Sequence, residues 1–454
     1  MSAQQKQMKL IGVWSPPGAH AAGWRESESP TTEMYSFTNM VRVARLAEEG
    51  KMDALFLADT NHLPTVPLIE ATDPAAEGYS KIIRMDAITM IAALAASTSR
   101  IGIIATATTT YSEPYSMARA IATIDHVSGG RAGWNLVTTQ SEGEAPNYGR
   151  DVHMEHGARY ERAEEYFDVC AGLWDCWDDD ALVFDKKNAR FSDVSKINVL
   201  NHDGKHFKVK GPLNLPRSPQ GRPVIAQAGA SAPGRELASR IADVVFLASS
   251  AWDETKVFRD DLRNRASERG RSPDSIKVMP GIMPIIGRTE EEASKHYLRL
   301  QEGITDAQGL IALRRISVGI DLTKFPLDGP MPELPPTNGA TTRQQIVIDW
   351  ARKEGLTLRQ VARRFAETDG HHLVWGTPER VADLMEDWFS SEACDGFCVL
   401  FPYFPRGIED FVQLVVPELQ RRGVFRQEYE GTTLRENLGL AVPPRLARFA
   451  DRHR

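Results

Sequence analysis

Short runs of apolar, β-branched residues alternate with longer amphipathic stretches along the whole chain. This alternation predicts repeated βα units around a parallel sheet. Eight runs read as strands, at 9–14, 54–58, 101–106, 132–137, 224–227, 244–248, 278–282 and 396–400. Nearly every one is flanked by a helical pattern, and no G-x-G-x-x-G follows the first run. The prediction is therefore an α/β fold of the closed (β/α)₈ TIM-barrel kind rather than an open doubly wound sheet. Helix ends are also legible. Thr377-Pro378-Glu379 offers an N-cap, a first-position proline and an early acid to a helix over 380–389. A helix over 114–127 stops at Gly129-Gly130.

A bare barrel of this kind takes roughly 250 residues, which leaves a large part of this 454-residue chain for insertions and tails. The chain reads as a single barrel domain over 1–454, with insertions at 60–81, 140–155, 177–222 and 301–375 and a C-terminal extension over 425–454. The third insertion contains Asn201-His202-Asp203-Gly204 between two alternating segments and reads as an external β-hairpin. The fourth carries the proline cluster Pro326 to Pro336 and follows the seventh strand at the face where active sites form, so it is expected to be a lid. In the extension, Tyr429 and Leu434 need a surface to cover, which suits self-association.

Composition narrows the function. A hydrophobic content of 42%, a charged content of 25% and a formal charge of −7 describe an ordinary soluble domain without the basic footprint of a nucleic-acid binder. No apolar run is long enough to span a membrane and the first ten residues lack a signal-peptide pattern, so a cytoplasmic location is expected. Cys170 with Cys176 and Cys394 with Cys398 match no zinc spacing and read as buried free thiols. His371 and His372 point apart on either a strand or a helix, and no metal site is expected.

In a barrel, chemistry sits at the carboxyl ends of the strands. The second strand there offers Asp59, the third Thr106 to Thr110, the fourth Trp134-Asn135 through Thr139, and the fifth Gln227 through Ser231. Gly229-Ala230-Ser231-Ala232-Pro233-Gly234 opens a helix and would present backbone N–H groups and a hydroxyl to an anion, although Ser231 serves equally as a plain helix cap. His156 and Tyr160, four residues apart at the start of a long helix, share a face as either a donor pair or a packed pair. Asp59 serves as ligand or as rim hydrogen-bonder. His20 follows the first strand and reads either as an acid, base or substrate contact or as plain surface loop.

Taken in order, several segments become familiar: Phe56-Leu57-Ala58-Asp59, Thr123-Ile124-Asp125-His126-Val127-Ser128-Gly129-Gly130-Arg131, Trp134-Asn135-Leu136-Val137-Thr138-Thr139, Glu155-His156 with Arg159-Tyr160, Gln227-Ala228-Gly229, and Val415-Val416-Pro417-Glu418-Leu419-Gln420-Arg421-Arg422-Gly423. From about position 8 to 440 the chain resembles the bacterial-luciferase-like flavin monooxygenases, in the group of nitrilotriacetate monooxygenase component A, dibenzothiophene-sulfone monooxygenase and long-chain alkane monooxygenase. The resemblance implies a barrel that takes FMN in its reduced form, FMNH₂, from a separate NAD(P)H:FMN reductase. With O₂ it would oxidise a small organosulfur or amine-type substrate, with C–S or C–N cleavage. Asp59, Thr106, His156, Tyr160 and Ser231 match the family's FMN-contacting positions, with Asn135 beside them. His20 lies near a position where a relative has a catalytic histidine. Two positions that hold histidine in some relatives hold Gln140 and either Ser317 or Val318 here, so no catalytic histidine carries over to them. The alternatives are a deazaflavin (F420)-dependent oxidoreductase of the same fold and a flavin-binding protein without turnover.

Overall fold

The computed structural model describes residues 6–29, 32–70 and 72–446. All eight expected runs form parallel strands, here β1 Lys9–Trp14, β2 Ala54–Leu57, β3 Gly102–Thr108, β4 Ala132–Val137, β5 Val224–Gln227, β6 Val244–Leu247, β7 Lys277–Ile286 and β8 Gly396–Leu400. Each pairs with the next, and β8 returns to β1 with Gly396 opposite Lys9, so the ring closes. The strands are buried on both faces, which is why they read as continuous apolar runs instead of alternating ones.

β7 differs most from expectation. It runs four residues past 282, and Ile282 to Ile286 pair with a strand at His372–Gly376 that the sequence pattern had left inside the fourth insertion. Pro280 and Pro284 hide this length in the sequence, because proline ordinarily argues against a central strand. Lower down, Gly281 and Ile282 face Cys398 and Val399 of β8. The ring thus parts above Ile282 and opens its upper mouth beside the insertion.

The helices follow their signals. Thr377 caps Pro378–Ser390, and Pro114–Ser128 ends at Gly129, whose φ of 69° suits glycine. The expected hairpin exists, but His202 pairs with Val209 and Asp203 with Lys208, which moves its turn beyond Gly204. The cause is Glu165, whose carboxylate contacts the His202 ring and accepts the backbone N–H groups of His206 and Phe207. The fourth insertion folds into helices Asp306–Arg314, Thr341–Glu354 and Leu358–Thr368. Their apolar faces pack with Ala21 and Ala22 from the loop after β1.

The C-terminal extension closes the lower mouth. Leu434 and Leu438 are fully buried against the barrel's interior residues Ile11, Ile104 and Val224. The Tyr429 hydroxyl donates to the Met52 carbonyl at 2.8 Å. Both residues expected to cover a partner therefore cover their own barrel, and they give no support to an oligomer. Replacing Leu434 by Ala should cost about 2–5 kcal/mol of stability, because the rigid barrel floor cannot collapse onto the cavity left behind. Urea unfolding of the variant measures this, and an unchanged midpoint would show that the extension is not part of the core.

Candidate active site

The upper mouth collects polar groups from four strand ends, one helix start and the fourth insertion. Asp59, Thr106, Asn135, His156, Tyr160 and Ser231 all line a single cavity there, together with Phe56, Phe246, Arg343 and His371. His20 does not line it. The loop after β1 folds beneath Pro402, so the His20 N–H donates to the Pro402 carbonyl and the ring is fully buried. Burial pushes its imidazole down to about 3.

Each of the six residues is fixed by its element. The Asp59 carboxylate accepts the N–H groups of Thr60 at 2.7 Å and Ala87 at 3.1 Å, the latter opening the helix Ala87–Ser97. Burial raises its pKa, and these two bonds partly offset the rise. Thr106 and Asn135 are register partners on β3 and β4, and the Asn135 amide donates to Thr106 Oγ1 at 3.0 Å. Asn135 Oδ1 is buried with no hydrogen-bond partner, an acceptor held open toward whatever fills the cavity. His156 and Tyr160 meet at 5.0 Å between ring centroids, as their spacing requires. Burial first, then Arg159, holds the His156 imidazole below its ordinary pKa, so it stands neutral at pH 7.

At the exit of β5, Ser231 caps the helix Ala232–Ile241 by accepting the Gly234 N–H at 3.3 Å. Gly229 allows this turn to approach its neighbours, since a Cβ there would lie 2.6 Å from the Tyr160 hydroxyl and 2.4 Å from Gln227 Nε2. A hydroxyl-bearing helix start, with a second hydroxyl brought close by a glycine, is chemically suited to an anion such as a phosphate.

Sequence reasoning missed the far wall. His371 is stacked on Phe246 at 5.1 Å and 13°, while Arg343 begins the helix Thr341–Glu354. Adjacent histidines had been read only for metal binding, and Arg343 carries no local signal at all. Arg159 belonged to a quoted motif without a role. It donates to the Asn338 carbonyl at 2.6 Å and to Asn338 Oδ1 at 3.3 Å, and Asn338 donates back to the Met154 carbonyl at 3.3 Å. These bonds hold residues 338–342 of the insertion against the cavity. Among the described residues, no group of three or more His, Cys, Asp or Glu side chains is placed to hold a metal ion, and no helix is long and apolar enough to cross a membrane.

A parallel barrel whose strand ends and one insertion enclose a polar cavity is the architecture of a (β/α)₈ enzyme. The sequence model of the luciferase-like monooxygenases matches residues 15–393, and the chain belongs to that family and is a monooxygenase. It is 45% identical to nitrilotriacetate monooxygenase component A of Aminobacter aminovorans, covering 96% of this chain and 97% of that one. It is 44% identical to N-acetyl-S-(2-succino)cysteine monooxygenase of Bacillus subtilis (strain 168), covering 98% and 99%. The crystal structure of riboflavin lyase with modified FMN and the substrate riboflavin superposes with a TM-score of 0.86 at 31% identity, over 96% of this chain and 97% of that one.

Replacing Arg159 by Met removes the bonds to residue 338 while keeping an apolar stem of similar length. Hydrogen exchange at amides 338–343 should quicken roughly tenfold or more, as expected for losing one or two charge-assisted hydrogen bonds. Unchanged exchange would mean that the apolar packing of the insertion holds this segment without the arginine.

Proposed function

We propose that this chain is the oxygenase component of a two-component monooxygenase that uses FMNH₂ and O₂ to oxidise a small organosulfur or amine-type compound. C–S or C–N cleavage is the expected outcome of that oxidation. The observation that carries the reading is the convergence of six polar residues on one cavity with Asn135 Oδ1 left open. Ser231 and Tyr160 would hold the FMN phosphate at the start of the helix after β5. Asn135, Thr106, His156 and Asp59 would hold the ring system, with the open amide oxygen taking a ring N–H. When bound, the reduced flavin supplies the oxygen-transfer chemistry. The protein's part is to orient substrate and flavin and to keep water out, which the segment 338–342 serves by closing on Arg159.

The names of the relatives support the substrate range, one acting on an amine and one on a thioether. A relative named as component A supports a partner that delivers FMNH₂, for which an NAD(P)H:FMN reductase is the natural class. Membership of the monooxygenase family favours this reading over the deazaflavin and non-catalytic alternatives. A cytoplasmic homodimer or homotetramer completes the proposal, and His20 has no role in it.

Ser231→Ala and Tyr160→Phe should each weaken FMN and FMNH₂ binding roughly tenfold, the usual effect of losing one hydrogen bond to a charged group. Riboflavin, which has no phosphate, should bind the variants and the parent alike. Flavin fluorescence titration reads both, and unchanged FMN affinity in both variants would remove the phosphate placement. Supplied with FMNH₂ and ¹⁸O₂, the protein should transfer label into a thioether or amine product. Tight flavin binding with no labelled product would return the case to a non-catalytic protein.

A further inference from the structure

Elsewhere in this chain, buried guanidinium groups are matched by partners. Arg426 reaches Asp53, Arg435 reaches Asp243, Arg259 reaches Asp395, and Arg131 donates to five acceptors across four residues. The far wall of the active-site cavity breaks this pattern. Arg343 and His371 line the cavity, and a narrower cleft beside them is lined by Lys81, Arg315 and Asp369. Asp369 pairs with both Arg315 and Arg343. Lys81 has no hydrogen bond or ion pair among the described residues.

Two guanidinium groups thus share one carboxylate, and Lys81 lines the same cleft with no anion of its own among the described residues. Grouping like charges in a partly desolvated place is unfavourable unless a counter-charge arrives. The groups register that cost. Burial, then the nearby guanidinium groups, pushes Lys81 down to about 7, and burial with Arg315 pushes Arg343 to about 9. His371 lies well below its ordinary value, held there by burial and by the charges of Arg343, Arg315 and Lys81. Arg259, Arg426 and Arg435 each meet an aspartate of their own, whereas this cluster beside the active-site cavity has one carboxylate for its two arginines and none paired with Lys81 among the described residues.

We propose that this cluster is the substrate-recognition site and that the substrate is a small organic polycarboxylate, with two carboxylates held by Lys81, Arg315 and Arg343. The inference rests on the flavin placement proposed above, in which Ser231 and Tyr160 take the phosphate and leave these cations to the substrate. The rest of the substrate would then lie along Phe246 and His371, toward the strand ends.

The test is calorimetric titration of the protein, with and without FMN, using nitrilotriacetate, thiodiacetate and citrate, each against its methyl ester. The acids should bind and the esters should bind at least tenfold more weakly. Lys81→Gln should weaken the acids roughly ten- to a hundredfold, the loss expected for one charge-assisted contact, and Lys81→Arg should restore most of it. Lys81 makes no hydrogen bond or ion pair among the described residues, so Lys81→Gln should keep the parent's thermal midpoint. For any acid that is turned over, the change should fall on KM and leave kcat within about twofold. Equal binding of acids and esters, or no binding of any acid, overturns the proposal. So does a Lys81→Gln variant that loses affinity for FMN but not for riboflavin, because the cations would then hold the flavin phosphate. If instead the acids bind and respond to Lys81 while Ser231→Ala leaves FMN affinity untouched, the polycarboxylate site stands and the flavin placement fails.

Discussion

Three aspartates, two of them buried and Asp243 only partly exposed, hold the lower rim of the barrel together, and most of the fold hangs from them. Each sits immediately before an even-numbered strand and accepts a backbone N–H from the strand before it. Asp53 takes Leu10 of β1, Asp243 takes Ile225 of β5, and Asp395 takes Val278 of β7. The pair β3–β4 uses the opposite chemistry. Arg131 stands before β4 and donates to the carbonyls of Ile101, Ala95 and Thr98. Charges this deep are tolerable only when paired, and removing one partner of such a pair typically costs about 3–5 kcal/mol. Arg426 and Arg435, which neutralise Asp53 and Asp243, come from the C-terminal extension. The C-terminal extension is therefore bolted to the rim at β2 and at β6, and Leu434 and Leu438 seal the lower mouth.

At the upper mouth, Asn135 Oδ1 is buried without a hydrogen-bond partner and Lys81 stands without an anion among the described residues. A folded chain retains such groups only where the rest of the structure over-determines their positions. The neutralised floor supplies that excess of constraint. Asn135 is fixed by β-sheet register and Thr106, and Arg343 by Asp369, so neither is free to turn away from the cavity.

How much of this was legible follows from how far each residue lies from its signal. The strands and their ends were readable because burial on both faces writes an unbroken apolar run into the sequence, and Asp59, Thr106, Asn135 and Ser231 sit at most a few residues beyond such runs. His156 and Tyr160 were readable as a pair from helical spacing. Arg343, His371 and Lys81 were not, because their places depend on how long insertions fold back over the mouth, and no local period encodes that. Tyr429 and Leu434 were misread for a related reason: an amphipathic tail looks the same whether it covers its own barrel or another chain. For His20, position just after β1 was legible. Its burial was not, since it depends on Gly18 and Gly23, where a Cβ would lie 2.2 and 2.1 Å from the Pro402 carbonyl oxygen.

This division of labour also bears on how one barrel serves different substrates. The groups assigned to the flavin come from strand ends and from the helix after β4, which the closed ring holds in register. Most of the groups assigned to the substrate, Arg315, Arg343 and His371, come from the insertion attached at the parted edge above Ile282, where β7 leaves β8 for the strand His372–Gly376, and Lys81 joins them from the insertion after β2. Changes at Lys81, Arg315 or Arg343 can alter the charge facing the substrate without moving Asn135, whose own pairings run through β3, β4 and β5. A relative at 31% identity keeps the fold to a TM-score of 0.86, which fits a barrel whose constraints lie in the floor and a specificity surface that is mechanically separate from it.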